Sequence, residues 1–230
     1  MQNKIGKGII SMNISEVNYS ELKINKRNIP LYYSLIKRGV DVTLSILGII
    51  LTLPIMIIIA GTIKVTSEGP ILFKQTRVGY LGNKFKIYKF RTMYNNAEEQ
   101  LKKILKEKEE TSIIYKPKDD VRITMIGKIL RKYSLDELPQ LFNILLGDMS
   151  LVGPRPLIVR EIENCSVNQY MRHIAKPGIT GYAQIKCRSN TTFKQQMDND
   201  LYYVKNQCLL LDFKILLSTI PAVVKSKNAW

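Results

Sequence analysis

The residues best suited to chemistry cluster between positions 131 and 155. Asp136 and Glu137 are adjacent, Arg131 precedes them by five residues, and Arg155 follows in the run Gly153-Pro154-Arg155-Pro156. Ser134 and Glu137 stand three apart, the spacing of a capping box, and acids in a first helical turn ordinarily only offset the helix dipole. The same geometry has a chemical reading. A carboxylate at a helix N-terminus stays ionised, which would make Asp136 a competent nucleophile at neutral pH. Glu137 could help hold a divalent cation, and Arg131 could contact a phosphate. Arg155 lies between two prolines that stiffen its backbone and pre-orient its guanidinium, unless the segment is a simple turn. Lys176-Pro177-Gly178-Ile179-Thr180-Gly181 could cradle a nucleotide or be only a tight connection; the residues leave both open.

The elements that must carry these groups are partly legible. A helical stretch is expected from Gly127 to Asn143 and beyond. ILFKQTRVG and KFKIYKFRTM are rich in β-formers and are separated by Gly79–Asn83, which predicts a hairpin, entered through the turn signal Glu68-Gly69-Pro70. Ala97 to Glu110 has the spacing of a solvated amphipathic helix. The C-terminal stretch QCLLLDFKILLSTIPAVVKSK is amphipathic to strongly apolar and suits either core packing or a membrane interface. Residues 1–30 are polar and read as a loosely ordered extension, with a short helix possible around Ser15 to Ile24. The sequence contains no internal repeat, P-loop, GxGxxG or zinc spacing.

One segment dominates the chain's character. Val42 to Ile63 runs 22 residues without a charge. As a helix it would span about 33 Å, against a hydrocarbon core of ~30 Å. Its distance from Met1 and the lack of a small-residue cleavage site argue against a signal peptide. A buried core helix is the alternative, but a run apolar on all faces is unusual in a soluble domain this size. Pro54 sits at its centre, where a kink or break is expected. Lys37 and Arg38 flank it on one side and Lys64 on the other. Basic residues favour the cytoplasmic face, so a re-entrant hairpin that bends at Pro54 is preferred over a single span. Thr52 could satisfy backbone groups near the break, and Asp41 could pair with Arg38.

The chain has 35 Lys and Arg against 19 acids, a formal net charge of +16. Such a balance points to phosphate-rich partners: nucleotide, anionic lipid or nucleic acid. Nucleic acid is disfavoured, because no nucleic-acid motif is present and a long uncharged run is out of place in such a protein. Cys165, Cys187 and Cys208 are too widely spaced for a metal pair, which suggests a reduced, cytosol-facing compartment. The single His173 argues against a histidine-based catalytic or metal centre.

Five segments occur in order: KRGVDVTLSILGIILTLP, FKIYKFRTM, LRKYSLDELPQLFNILLGDMSLVGPRP, KPGITGYAQI and DLYYVKN. Together they resemble the bacterial sugar transferase family, the monotopic polyprenyl-phosphate glycosyl-1-phosphate transferases, over roughly residues 36–225. The chain is similar to the small, minimal form. The resemblance implies that a UDP-sugar donates a sugar-1-phosphate to undecaprenyl (polyprenyl) phosphate, with release of UMP. Asp136 would be the nucleophile, forming an aspartyl-phosphosugar intermediate. Mg²⁺ would be held at Asp136 and Glu137, and Arg131, Arg155, Lys89 and Arg91 would bind phosphate or substrate. It implies a place at the cytosolic face of the bacterial inner membrane, at the first membrane step of surface glycan synthesis, with downstream glycosyltransferases as possible partners. The family usually has Ser before the central Pro; here Leu53 precedes Pro54, which puts the hairpin angle in question.

The expected fold is α/β (α+β): a mostly helical globule with a small sheet element, a re-entrant N-terminal helix and interfacial helices. The expected divisions are a polar extension at 1–35, a membrane helix at 36–66 and a catalytic domain at 67–230. A catalytically inactive membrane scaffold is the rival for the same fold. The intact set Arg131, Asp136, Glu137 and Arg155 argues against it.

Overall fold

The computed structural model describes residues 29–97, 99–100, 120–162, 165–186 and 192–224. The chain opens with α1 (Leu31–Thr66), followed by the strands β1 (Leu72–Val78) and β2 (Lys84–Phe90). Then come α2 (Met125–Lys132), α3 (Gln140–Leu146), β3 (Ser150–Val152), β4 (Leu157–Ile158), α4 (Val159–Ile162) and α5 (Val167–Tyr170). The chain continues through β5 (Gly178–Thr180), α6 (Tyr182–Lys186), α7 (Phe193–Asn206) and α8 (Leu209–Val224). β1 and β2 form the expected antiparallel hairpin, with Leu72 opposite Phe90 and Val78 opposite Lys84. β4 adds antiparallel to the other edge of β1, giving the order β2-β1-β4, while β3 and β5 make a separate parallel pair. The fold is therefore mostly helical with small sheets. Most of the expected Ala97–Glu110 helix, and the extension up to residue 28, lie outside the described residues.

The helix expected from Gly127 to Asn143 is instead three pieces: α2, a 3₁₀ turn at Leu135–Glu137, and α3. Ser134 adopts φ 55°, ψ 23°, a left-handed conformation that costs a non-glycine residue on the order of 1 kcal/mol. Its side chain caps nothing, so the expected capping box does not form. The reversal at Ser134 and the following Pro139, which cannot donate within a helix, separate α2 from α3. Asn143 then fixes α3 against β2. It is fully buried, accepts from the Tyr88 amide at 3.0 Å and donates to the Lys86 carbonyl at 2.8 Å, as a neighbouring strand would.

Three packed clusters hold the globule. The largest joins Ile87 of β2 to Leu141 and Ile144 of α3, Leu151 and Val152 of β3, Tyr203 and Val204 of α7, and Ile215 of α8. A second joins Met56, Ile59 and Ile63 of α1 to Phe90 and Leu130. The third lies under β4 and α7, around Val78, Leu157 and Met197.

Helix α1 has 36 residues and begins at Leu31, ahead of the boundary expected at residue 36. It is long and apolar enough to cross a membrane by length and composition. Of the kink or break expected at Pro54, the break does not occur: helical backbone continues through it. Pro54 has no N–H to offer the carbonyl one turn back. Thr52 donates instead to the Gly48 carbonyl at 2.7 Å, so it supports the preceding turn rather than the one Pro54 disturbs. Arg38 and Asp41 bond separately. Arg38 donates to the Ile144 and Leu145 carbonyls at 2.6 and 2.8 Å, satisfying the C-terminal end of α3, where a cation is favoured. Asp41 is buried and accepts from the Leu151 amide at 2.9 Å and the Ser150 hydroxyl at 3.1 Å. These partners hold both groups more closely than the mutual pair expected from their spacing.

Candidate active site

The 3₁₀ turn after Ser134 points Asp136 inward. Its residue is only 4% exposed, and its Oδ1 is buried without a hydrogen-bond partner. Loss of solvent around the carboxyl raises its pKa above the ordinary value; Lys89 and Arg131 oppose the rise, and Glu137 adds to it. This reverses the electrostatic expectation. A one-turn 3₁₀ segment supplies little dipole, so burial dominates instead of the N-terminal field.

Glu137 lies in a different setting. The Lys89 ammonium, on β2, is 2.5 Å from its Oε1. Against the upward pull of burial, that contact and the nearby Arg155 hold the Glu137 carboxyl below its ordinary value. Two adjacent carboxyls are thus pushed in opposite directions, a pattern that separates the roles of paired acids.

Arg131, in the last turn of α2, is aimed by a bond from its Nε to the Thr92 hydroxyl at 2.9 Å and lies within electrostatic reach of Asp136. Arg155 reaches the site from the loop between β3 and β4. Beyond its two prolines, the loop is fixed by Arg172, which donates to the Arg155 carbonyl at 2.6 Å. Arg172 also pairs with Asp200 at 2.6 Å, and both side chains are almost fully buried. Asp200 begins DLYYVKN, so this motif acts through the loop that carries Arg155.

A small cavity of ≈ 50 Å³ gathers Lys89, Glu137, Gln140 and Arg155, with Gly178 and Ile179 of β5 in its wall. The KPGITG segment therefore lines the site and is more than a connection. Arg91 is bound elsewhere. It donates through Nη2 to the carbonyl and hydroxyl of Ser67, both at 2.8 Å, and ties the end of α1 to the strand end. His173 is buried, with Nδ1 3.2 Å from the Gly79 carbonyl. Burial, reinforced by Arg172, pushes its pKa down to about 3. Sequence reasoning missed Asn143, Arg172 and Asp200, because each acts on backbone or on a partner far away in the chain.

The residues present fit a divalent cation. Asp136 offers a buried oxygen without a hydrogen-bond partner, and Glu137 a second carboxylate beside it. Among the described residues no three His, Cys, Asp or Glu side chains gather into a metal cage. Asp136 and Glu137, the latter with Oε1 already on Lys89, would be the residues to hold Mg²⁺, which commonly binds one or two carboxylates together with substrate phosphates and water.

The family model for bacterial sugar transferases matches residues 32–226. The exopolysaccharide production protein ExoY of Sinorhizobium fredii is 40% identical, over 84% of this chain and 88% of its own length. The undecaprenyl-phosphate galactose phosphotransferase of Salmonella typhimurium is 42% identical over 85% of this chain, and the UDP-N-acetylgalactosamine-undecaprenyl-phosphate N-acetylgalactosaminephosphotransferase of Aeromonas hydrophila is 39% identical over 86%. The chain spans under half the length of these two relatives, 42% and 45% respectively. With a match across most of its residues, and with its carboxylates and basic groups gathered into one site, the chain belongs to the bacterial sugar transferase family.

Proposed function

We propose that the protein transfers a sugar-1-phosphate from a UDP-sugar to undecaprenyl or another polyprenyl phosphate, releasing UMP. The observation that carries this reading is the buried Asp136 with its free Oδ1, set beside Lys89, Glu137 and Arg131. An Asp136 carboxylate oxygen attacks the sugar-bearing phosphorus as the bond to the bridging oxygen of UMP breaks, and UMP leaves with that electron pair. An oxygen of the polyprenyl phosphate then attacks the same phosphorus and displaces the Asp136 carboxylate. The attacking Asp136 carboxylate and acceptor phosphate oxygens carry no proton to remove, and UMP leaves as a phosphate anion that needs none, so neither step needs a histidine base.

Arg131, Arg155 and Lys89 supply the charge neutralisation and positioning that phosphoryl transfer demands. Mg²⁺ held at Asp136 and Glu137 would further neutralise the diphosphate. Glu137, kept ionised by Lys89, suits that task, while Asp136 serves as nucleophile.

The acceptor's phosphate lies at a membrane surface, which explains the apolar surface. Leu47, Ile50, Leu51, Ile57 and Ile58 of α1 are exposed, as are Leu210, Phe213, Leu217 and Ile220 of α8. Exposed apolar area on this scale marks an interaction surface, here the cytosolic leaflet of the bacterial inner membrane. Both ends of α1 are held by the same globule: Lys37 and Asp41 near the start, Ile59 and Ile63 near the end. This supports a helix that stays on one side of the membrane rather than one that spans it. The reaction suits the first membrane step of a surface glycan, with downstream glycosyltransferases consuming the product.

The test is UMP release from a panel of UDP-sugars with Mg²⁺ and undecaprenyl phosphate, beside Asp136→Asn. Release with one donor, reduced at least about 10³-fold in the variant, is expected. Release that survives the substitution would overturn the assigned nucleophile. Failure with every donor, and no trapped phosphosugar adduct, would favour an inactive membrane scaffold.

A further inference from the structure

Two residues that line the cavity beside Glu137, Arg77 and Gln184, each carry a buried polar atom that the mechanism leaves unused. Arg77, on β1, donates through Nη2 to Gln75 Oε1 at 2.6 Å and through Nη1 to the Pro156 carbonyl at 3.2 Å. Its Nε is buried and without a partner. Gln184, on α6, donates through Nε2 to the Ile179 carbonyl at 3.1 Å, and its Oε1 is likewise buried and without a partner. Both residues line the cavity. Buried polar atoms are rarely left unpaired, because each loses its bonds to water without replacement. One orphan donor and one orphan acceptor on residues of the same cavity wall call for a ligand that supplies both complements.

The charge in the cavity defines the ligand further. Arg77, Lys89 and Arg155 line it, against Glu137 alone among the acids. Glu161 lies 3.9 Å from Arg77, but its Oε2 already accepts the Ile158 amide at 2.9 Å. Burial, with Arg155 close by, lowers Arg77 to about 10 against the opposing pull of Glu161 and Glu137. An anion is therefore favoured. Its remainder must carry an N–H or O–H for Gln184, which a polyprenyl chain does not. None of the cavity's residues comes from α1 or α8, the two elements with the long apolar faces.

Resting on the transfer reading above, we infer that Arg77 and Gln184 form the subsite for the leaving nucleotide. Arg77 Nε donates to a phosphate oxygen of the UMP portion, and Gln184 Oε1 accepts an N–H or O–H of the uridine. The acceptor's phosphate approaches from the side of the apolar helices and does not use this pair.

The test is equilibrium binding of UMP, inorganic phosphate and uridine to the full chain in detergent micelles. Arg77→Gln is expected to weaken UMP and inorganic phosphate alike by about tenfold or more, the effect of one lost hydrogen bond to a charged group. Gln184→Leu is expected to weaken UMP and leave inorganic phosphate unchanged. Glu161→Gln removes the competing carboxylate and is expected to tighten UMP, a gain that a misfolded variant cannot produce. UMP affinity within about twofold of wild type in all three variants would overturn the subsite, as would a wild-type protein that does not bind UMP. Turnover of a UDP-sugar with UMP inhibition unchanged in Arg77→Gln would sink the subsite and leave the transfer reading standing. UMP binding with the expected variant pattern, but no turnover of any UDP-sugar, would do the reverse.

Discussion

Asp136 is an acid whose burial makes ionisation unfavourable, yet the proposed reaction needs it ionised. Its folded-state pKa is raised, so the native state binds this proton more tightly than the unfolded chain does. The fold therefore loses stability as pH rises from the ordinary carboxylate range through the raised value, while activity gains over the same window. Two outcomes follow at this scale. The pH–rate profile should have its acidic limb above the ordinary aspartate range, and Asp136→Asn should abolish that limb together with turnover. The same variant should melt at a higher temperature than wild type at neutral pH, measured by thermal denaturation, because it removes a buried charge at a site shaped for function. An unchanged or lower melting temperature would count against burial as the dominant influence. His173 offers a second check. With a pKa near 3, its ring should not titrate between pH 5 and 8 by NMR, and the sequence has only one histidine to assign.

Among the elements, α3 governs the geometry of the site. The turn bearing Asp136 and Glu137 hangs between α2 and α3, and α3 is registered on β2 by the two bonds of Asn143. Lys89, three residues after Lys86 on that strand, meets Glu137 as a consequence. Asn143→Ala should remove both bonds from a fully buried side chain to the partly buried backbone of β2 and cost about 1 kcal/mol or more in chemical denaturation. It should also weaken activity beyond what stability explains, since Lys89 and Glu137 lose their register. The hairpin was legible because β-formers flank a glycine-bounded turn. The break in the 127–143 helix was not, because the signals at Ser134 and Pro139 also fit a helix start. Only the packing of Leu130 against α1 and of Leu141 and Ile144 in the main core decides that α2 and α3 are separate rods.

For the molecule as a whole, α1 binds the globule along its length. Asp212 of α8 receives Lys37 at 2.8 Å and the Tyr33 hydroxyl at 2.9 Å on one oxygen, and the Tyr203 hydroxyl at 2.7 Å on the other. Near the opposite end Ile63, fully buried, packs with Phe90 and Leu130. If the helix lodges in one leaflet, cysteines introduced at Ile29 and Glu68, with the native cysteines replaced by serine, should both react with an impermeant maleimide from the cytosolic side. Labelling of the two positions from opposite sides would establish a span.

The sequence by itself determined the hairpin, the apolar helix and the family, since each rests on local order: alternation, an uncharged run, or a motif. It could not decide that Asp136 is buried rather than poised on a helix dipole, that Arg91 bonds to the end of α1, or that Arg38 and Asp41 bond apart. Those outcomes belong to the tertiary structure. Burial and hydrogen bonding depend on partners up to more than a hundred residues away, as in the 110-residue separation of Asp41 and Leu151, and no local pattern encodes which of several possible partners a side chain will meet.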